Sequence, residues 1–67
     1  MSHITEMELQ ALRQLIGECD LKVRKLSIYA RQVQNPDLRD FCEREAEASN
    51  QSRQAMMAFL NEGVNVQ

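Results

Sequence analysis

The stretch Gln34-Asn35-Pro36-Asp37-Leu38-Arg39-Asp40-Phe41 decides the fold, because it ends one long helical segment and begins another. A residue that precedes proline is pushed out of the helical region of backbone space, so Asn35 breaks whatever comes before it. The same Asn35 is a good N-cap, Pro36 suits the first helical position, and Asp37 and Asp40 complement the positive end of a helix dipole. A break this short favours two antiparallel neighbours over one continuous rod.

Working back from the corner, Leu9, Leu12, Ile16, Cys19, Val23, Leu26, Ala30 and Val33 follow at spacings of 3, 4, 3, 4, 3, 4 and 3. That is an unbroken heptad seam. Ser2 can cap the segment, or Thr5 can, with Glu8 at the capping-box spacing. Gly17 lies just off the seam, where it weakens the helix without disturbing its packing face. A first helix over about 5–34 is predicted. Working forward, a second helix is predicted over about 36–61, stopped by Gly63. Its stripe is weaker: Leu38, Phe41, Cys42, Glu45, Ala48, Ser49, Ser52, Ala55, Met56 and Phe59, bulky at the ends and small or polar in the middle. Residues 1–4 and 63–67 are expected to fray around this single hairpin domain.

The chain has 67 residues, a formal charge of −2, two glycines, one proline and three aromatic residues. So short a chain needs a staple or a partner, and one helix pair buries a single seam. Two hairpins packed as a four-helix bundle provide an interior, so the expected state is all-α and homodimeric or larger. The expected interface draws on Leu9, Leu12, Ile16, Cys19, Val23, Leu26, Phe41, Ala48, Ser52, Met56 and Phe59. Met7, Leu21 and Ile28 repeat at multiples of seven on the far side of the first helix. They read either as scattered surface apolars or as a second contact surface.

Two cysteines make no disulfide framework, and no run is long and apolar enough to span a membrane. The first ten residues lack a basic region followed by an apolar block, so a cytoplasmic setting is expected. The acidic balance gives no reason to expect nucleic acid as a partner. Lys22, Arg24, Lys25 and Arg31 on the first helix are expected to lie alongside Asp37, Asp40, Glu43, Glu45 and Glu47 on the second. With the turn centred between Asn35 and Pro36, facing residues have numbers that sum to about 71. Cys19 and Cys42 are then roughly 15 Å out of step along the axis and read as core residues. The only histidine, His3, falls in the expected frayed start, away from any nucleophile.

Glu45 stands out as a carboxylate in a core stripe. An unpaired buried charge is costly. Lys22 is its best expected partner, and Glu45 is the one candidate metal ligand, through carboxylates shared between subunits. No catalytic residue and no cofactor is expected.

The string QNPDLRDF, preceded by LKVRKLSIYARQ, resembles the inter-helix corner of ferritin-like hairpins, especially spore coat protein F-like sequences. From about Leu9 to Leu60 the chain is also similar in length and layout to a family of short helical proteins of spore-forming bacteria. The resemblance implies a helical bundle and a spore or sporulation setting. Ferritin-like iron chemistry does not carry over residue by residue. That chemistry asks for Glu-x-x-His on one helix and a facing Glu on the other, whereas Ala48 stands at the histidine position after Glu45 and Leu26 where the facing carboxylate is needed. The expected function is therefore a non-enzymatic, self-associating structural or interaction protein. The alternative is a degenerate ferritin-like metal binder.

Overall fold

The computed structural model describes residues 3–62. Two helices of 27 residues each make up nearly all of it, α1 over Glu6–Gln32 and α2 over Pro36–Glu62. They pack against each other as an antiparallel hairpin, joined by residues 33–35.

Each helix starts where its local chemistry says it should. Thr5 caps α1 with a full capping box. Its hydroxyl accepts from the Glu8 amide at 3.1 Å, while the Glu8 carboxylate accepts from the Thr5 amide at 2.8 Å. Asn35 caps α2, its side-chain oxygen accepting from the Leu38 amide at 2.9 Å. Ahead of α1, Ile4 is half-buried rather than loose. Of the expected frayed positions, residues 1, 2 and 63–67, the Gly63 stop included, lie outside the described residues.

The first helix ends two residues before the expected Gln34. Val33 is already extended, at φ −75° and ψ 142°, so the chain has left the helix before it reaches the Asn35 cap. Two contacts secure the corner. The Val33 amide donates to the Tyr29 carbonyl at 2.9 Å, and Arg39 Nη2 reaches back to donate to the Val33 carbonyl at 3.0 Å. A guanidinium on the last carbonyls of a helix is favoured by the dipole as well as by the hydrogen bond.

The seam of α1 is the one read from the sequence. Leu9 and Ala30 are buried, and Leu12, Ile16, Cys19, Val23, Leu26 and Val33 are half-buried against α2. The inward face of α2 differs from expectation. Cys42, Ala46, Ser49, Arg53, Met56 and Leu60, spaced 4, 3, 4, 3 and 4, turn inward, whereas Leu38, Phe41, Ala48, Ser52, Ala55 and Phe59 stay exposed. The expected stripe had merged two adjacent heptad rows. The row that turns inward is the one that keeps an unbroken 4, 3 alternation from Cys42 to Leu60, the spacing that holds one face of a helix against a neighbour.

The hairpin measures 49 × 17 × 11 Å with a radius of gyration of 15.0 Å, against about 11 Å for a compact chain of this length. Its thinnest dimension is that of one helix. The molecule is a plate with two broad faces and no interior: its least exposed described side chain, Cys42, still keeps 6% of its surface open.

Candidate association face

The two faces of the plate have opposite chemistry. On one, Ser27 and Arg31 of α1 and Arg39, Glu43, Glu47 and Asn50 of α2 border a shallow groove of about 800 Å³. It is a solvated face of mixed charge. Its edge carries the ion pair Asp20–Arg53, 3.5 Å between Oδ1 and Nε, with Arg53 also donating to Asn50 Oδ1 at 3.0 Å.

The opposite face carries large apolar side chains toward its two ends and polar ones in its middle. Heptad geometry puts Leu15, Lys22 and Tyr29 on the flank of α1 turned away from the groove, and Leu38, Phe41, Glu45, Ala48, Ser52, Ala55 and Phe59 on the same flank of α2. Leu15, Tyr29, Leu38, Phe41 and Phe59 are each 47–51% exposed. Five large apolar or aromatic side chains, half open and on one side of a plate one helix thick, form the kind of patch that soluble monomers rarely display.

The residues expected at an interface divide between the seam and this face. Leu9, Leu12, Ile16, Cys19, Val23, Leu26 and Met56 pack inside the hairpin, while Phe41, Ala48, Ser52 and Phe59 lie on the open face. Met7, Leu21 and Ile28 are exposed on the back of α1, Met7 most of all. Leu21 shares a hollow of about 360 Å³ with Glu18, Lys22, Lys25, Leu26 and Tyr29. Leu15 and Tyr29 are the positions that reading the sequence missed. They repeat with Lys22 at intervals of seven beside the main seam, and that second periodicity was the available signal.

The register also moves. The Asp20–Arg53 contact gives facing numbers that sum to 73 rather than 71. Glu45 therefore stands level with Ile28 and not Leu26, and Lys22 level with Gln51. The expected Lys22–Glu45 pair is not formed, because the two groups are about six residues, or roughly 9 Å, out of step. Likewise, among the described residues no ion pair within 4 Å joins the basic block of α1 to the acidic block of α2; the pair that links the helices there is Asp20–Arg53. Glu45 is half-buried at the margin of the apolar face. No cluster of three or more His, Cys, Asp or Glu side chains suited to a metal ion occurs among the described residues. Cys19 and Cys42 are free thiols on the inward seam, roughly 18 Å apart along the axis at this register.

No helix among the described residues is long and apolar enough to cross a membrane. No protein family, curated protein or solved structure matches the chain.

Proposed function

We propose that this chain is a non-enzymatic structural or interaction protein that works as a homo-oligomer of hairpins, forming a helical bundle by self-association. The observation that supports this reading is the open apolar face. A plate 11 Å thick has nothing to put behind Leu15, Tyr29, Leu38, Phe41 and Phe59, and a second plate laid on it would supply the missing interior. A closed two-fold dimer is the commonest way to satisfy such a surface. The resemblance of the QNPDLRDF corner to spore coat protein F-like hairpins supports a spore-related setting for that assembly.

Sedimentation equilibrium combined with dilution-dependent circular dichroism tests the proposal. The expected result is a dimer or larger species at micromolar concentration, with helicity and melting temperature that fall on dilution, as mass action requires when folding and assembly are linked. One polypeptide per particle, with an unchanged melt down to nanomolar concentration, would overturn it.

A further inference from the structure

The back of α1 near the corner carries a pattern that self-association leaves unused, and from it we infer that this edge of the hairpin lies on an anionic membrane surface. The helix rests in the headgroup layer and does not cross it. From Leu21 to Pro36 the chain has four cations, Lys22, Arg24, Lys25 and Arg31, and no acidic residue, although the whole chain is acidic at −2. All four side chains are exposed. Among the described residues none of them has an ion pair within 4 Å; Asp20, just ahead of the stretch, is held by Arg53. The helix dipole accounts for Arg31 in the last turn, but its pull fades within that turn. Lys22, Arg24 and Lys25 stand about two turns or more before Gln32.

The cations surround apolar side chains. Leu21 and Ile28, 52% and 43% exposed, sit one above the other on the helix, about 10.5 Å apart at helical rise. Heptad geometry puts Arg24 and Arg31 on one side of this line and Lys22 and Lys25 on the other. An apolar line with cations on both flanks meets two demands of a lipid interface at once. Aliphatic side chains enter the acyl boundary, and ammonium and guanidinium groups reach the phosphates. The line runs along the edge of the plate farthest from α2, so it stays open when the Leu15–Phe59 face is covered. Self-association and membrane contact therefore stand or fall separately.

A second copy of the chain fits this edge less well. The outward row of α2, Asp40, Arg44, Glu47 and Gln51 at spacings of 4, 3 and 4, supplies carboxylates but no large apolar side chain. Against it, Leu21 and Ile28 would strip water from polar groups without replacing its hydrogen bonds. Nucleic acid would neutralise the cations through its phosphates and give the two aliphatic side chains nothing to enter. A bilayer surface satisfies both halves of the pattern.

Vesicle flotation of the full chain tests the inference. The expected result is binding to vesicles of phosphatidylcholine and phosphatidylglycerol in equal parts and none to phosphatidylcholine alone. Release is expected in about 1 M salt, where charges are screened beyond about 3 Å. Arg24→Gln with Lys25→Gln is expected to weaken partitioning about 25-fold, near fivefold for each cation. Leu21→Ser with Ile28→Ser keeps every charge and is expected to weaken it about tenfold. Circular dichroism checks that both pairs, exposed as they are, leave the hairpin helical; the comparison of the two vesicle compositions needs no variant. Absence of binding to the anionic vesicles, or equal binding to both compositions, would overturn the inference. So would a serine pair that binds like the unaltered chain, or poly-glutamate that retains the chain as strongly as the vesicles do, either of which assigns the edge to an acidic macromolecule. Sedimentation equilibrium of the serine pair is expected to match that of the unaltered chain; loss of assembly there would make this edge an interface between copies and end the membrane reading.

Discussion

Arg53 Nε lies 3.5 Å from Asp20 Oδ1, and this contact ties the middle of α2 to the middle of α1. Arg53 occupies a seam position where an apolar residue would be ordinary, and it stays there by laying its stem along the seam and turning its guanidinium to Asp20 and to Asn50. The Asp20 side chain is half exposed, so solvent screens the pair and it belongs with surface ion pairs in strength. Asp20→Asn is expected to lower stability by less than about 1 kcal/mol, and the difference should disappear in molar salt. Urea unfolding of both proteins at low and high ionic strength measures it. A loss that persists in high salt would mean that Asp20 acts through packing rather than charge.

Gly17 offers the opposite change. It sits in the middle of α1 on the exposed side, and a methyl group added to it meets nothing within 4 Å. Helix propensity and the reduced freedom of the unfolded chain both favour alanine there. Gly17→Ala is therefore expected to stabilise the fold by about 0.5–1 kcal/mol, readable as a higher thermal midpoint at fixed protein concentration. An unchanged or lower midpoint would show that the glycine is needed for close approach by another molecule.

The capping box makes the start of α1 sensitive to acid. Hydrogen bonds from the Thr5 amide and hydroxyl hold the Glu8 carboxyl below its ordinary value of 4.5. A depressed carboxylate contributes stability that is complete above the unfolded value and fades as pH falls through the folded one. Helicity of the first turns should therefore be constant above about pH 5 and decline below it. Glu8→Gln keeps the reciprocal hydrogen bonding of the motif and is expected to flatten that part of the profile. Amide chemical shifts of residues 5–9 followed between pH 6 and pH 2, on the order of the carboxylate range, would decide it.

At the corner, Asn35 caps α2 through its side chain while its carbonyl accepts from the Arg39 amide at 3.0 Å. Asn35→Ala removes the side-chain acceptor and leaves the Leu38 amide without its partner. A loss of about 1 kcal/mol is expected, whereas Asn35→Asp should be nearly neutral because aspartate caps equally well. Denaturant midpoints for the two variants test the pair together, and equal losses would show that the cap does not contribute.

What could be read from the sequence was whatever depends on neighbours along the chain. The caps at Thr5 and Asn35, the break before Pro36 and the whole α1 seam from Leu9 to Val33 follow from local chemistry and strict spacing, and all of them appear in the structure. What could not be read depends on a choice between equivalents. In α2 two adjacent heptad rows carry similar hydropathy, and nothing in composition says whether Cys42-Ala46-Ser49 or Phe41-Ala48-Ser52 faces the partner helix. The sliding of one rod along the other is equally silent in the spacings. Asp20–Arg53, a contact between residues far apart in the chain, shows where it comes to rest. The expected partner of Glu45 shifted with that register.

The three-residue corner carries a consequence for how the molecule is made. With Asn35 starting α2 and Arg39 clasping the end of α1, the first contacts between helices close loops of only a handful of residues, so little chain entropy opposes them. Folding should then zip outward from the corner in a sequence of small steps, as low-contact-order topologies do on the microsecond-to-millisecond scale. The ends around Leu9 and Leu60 would join last and open first.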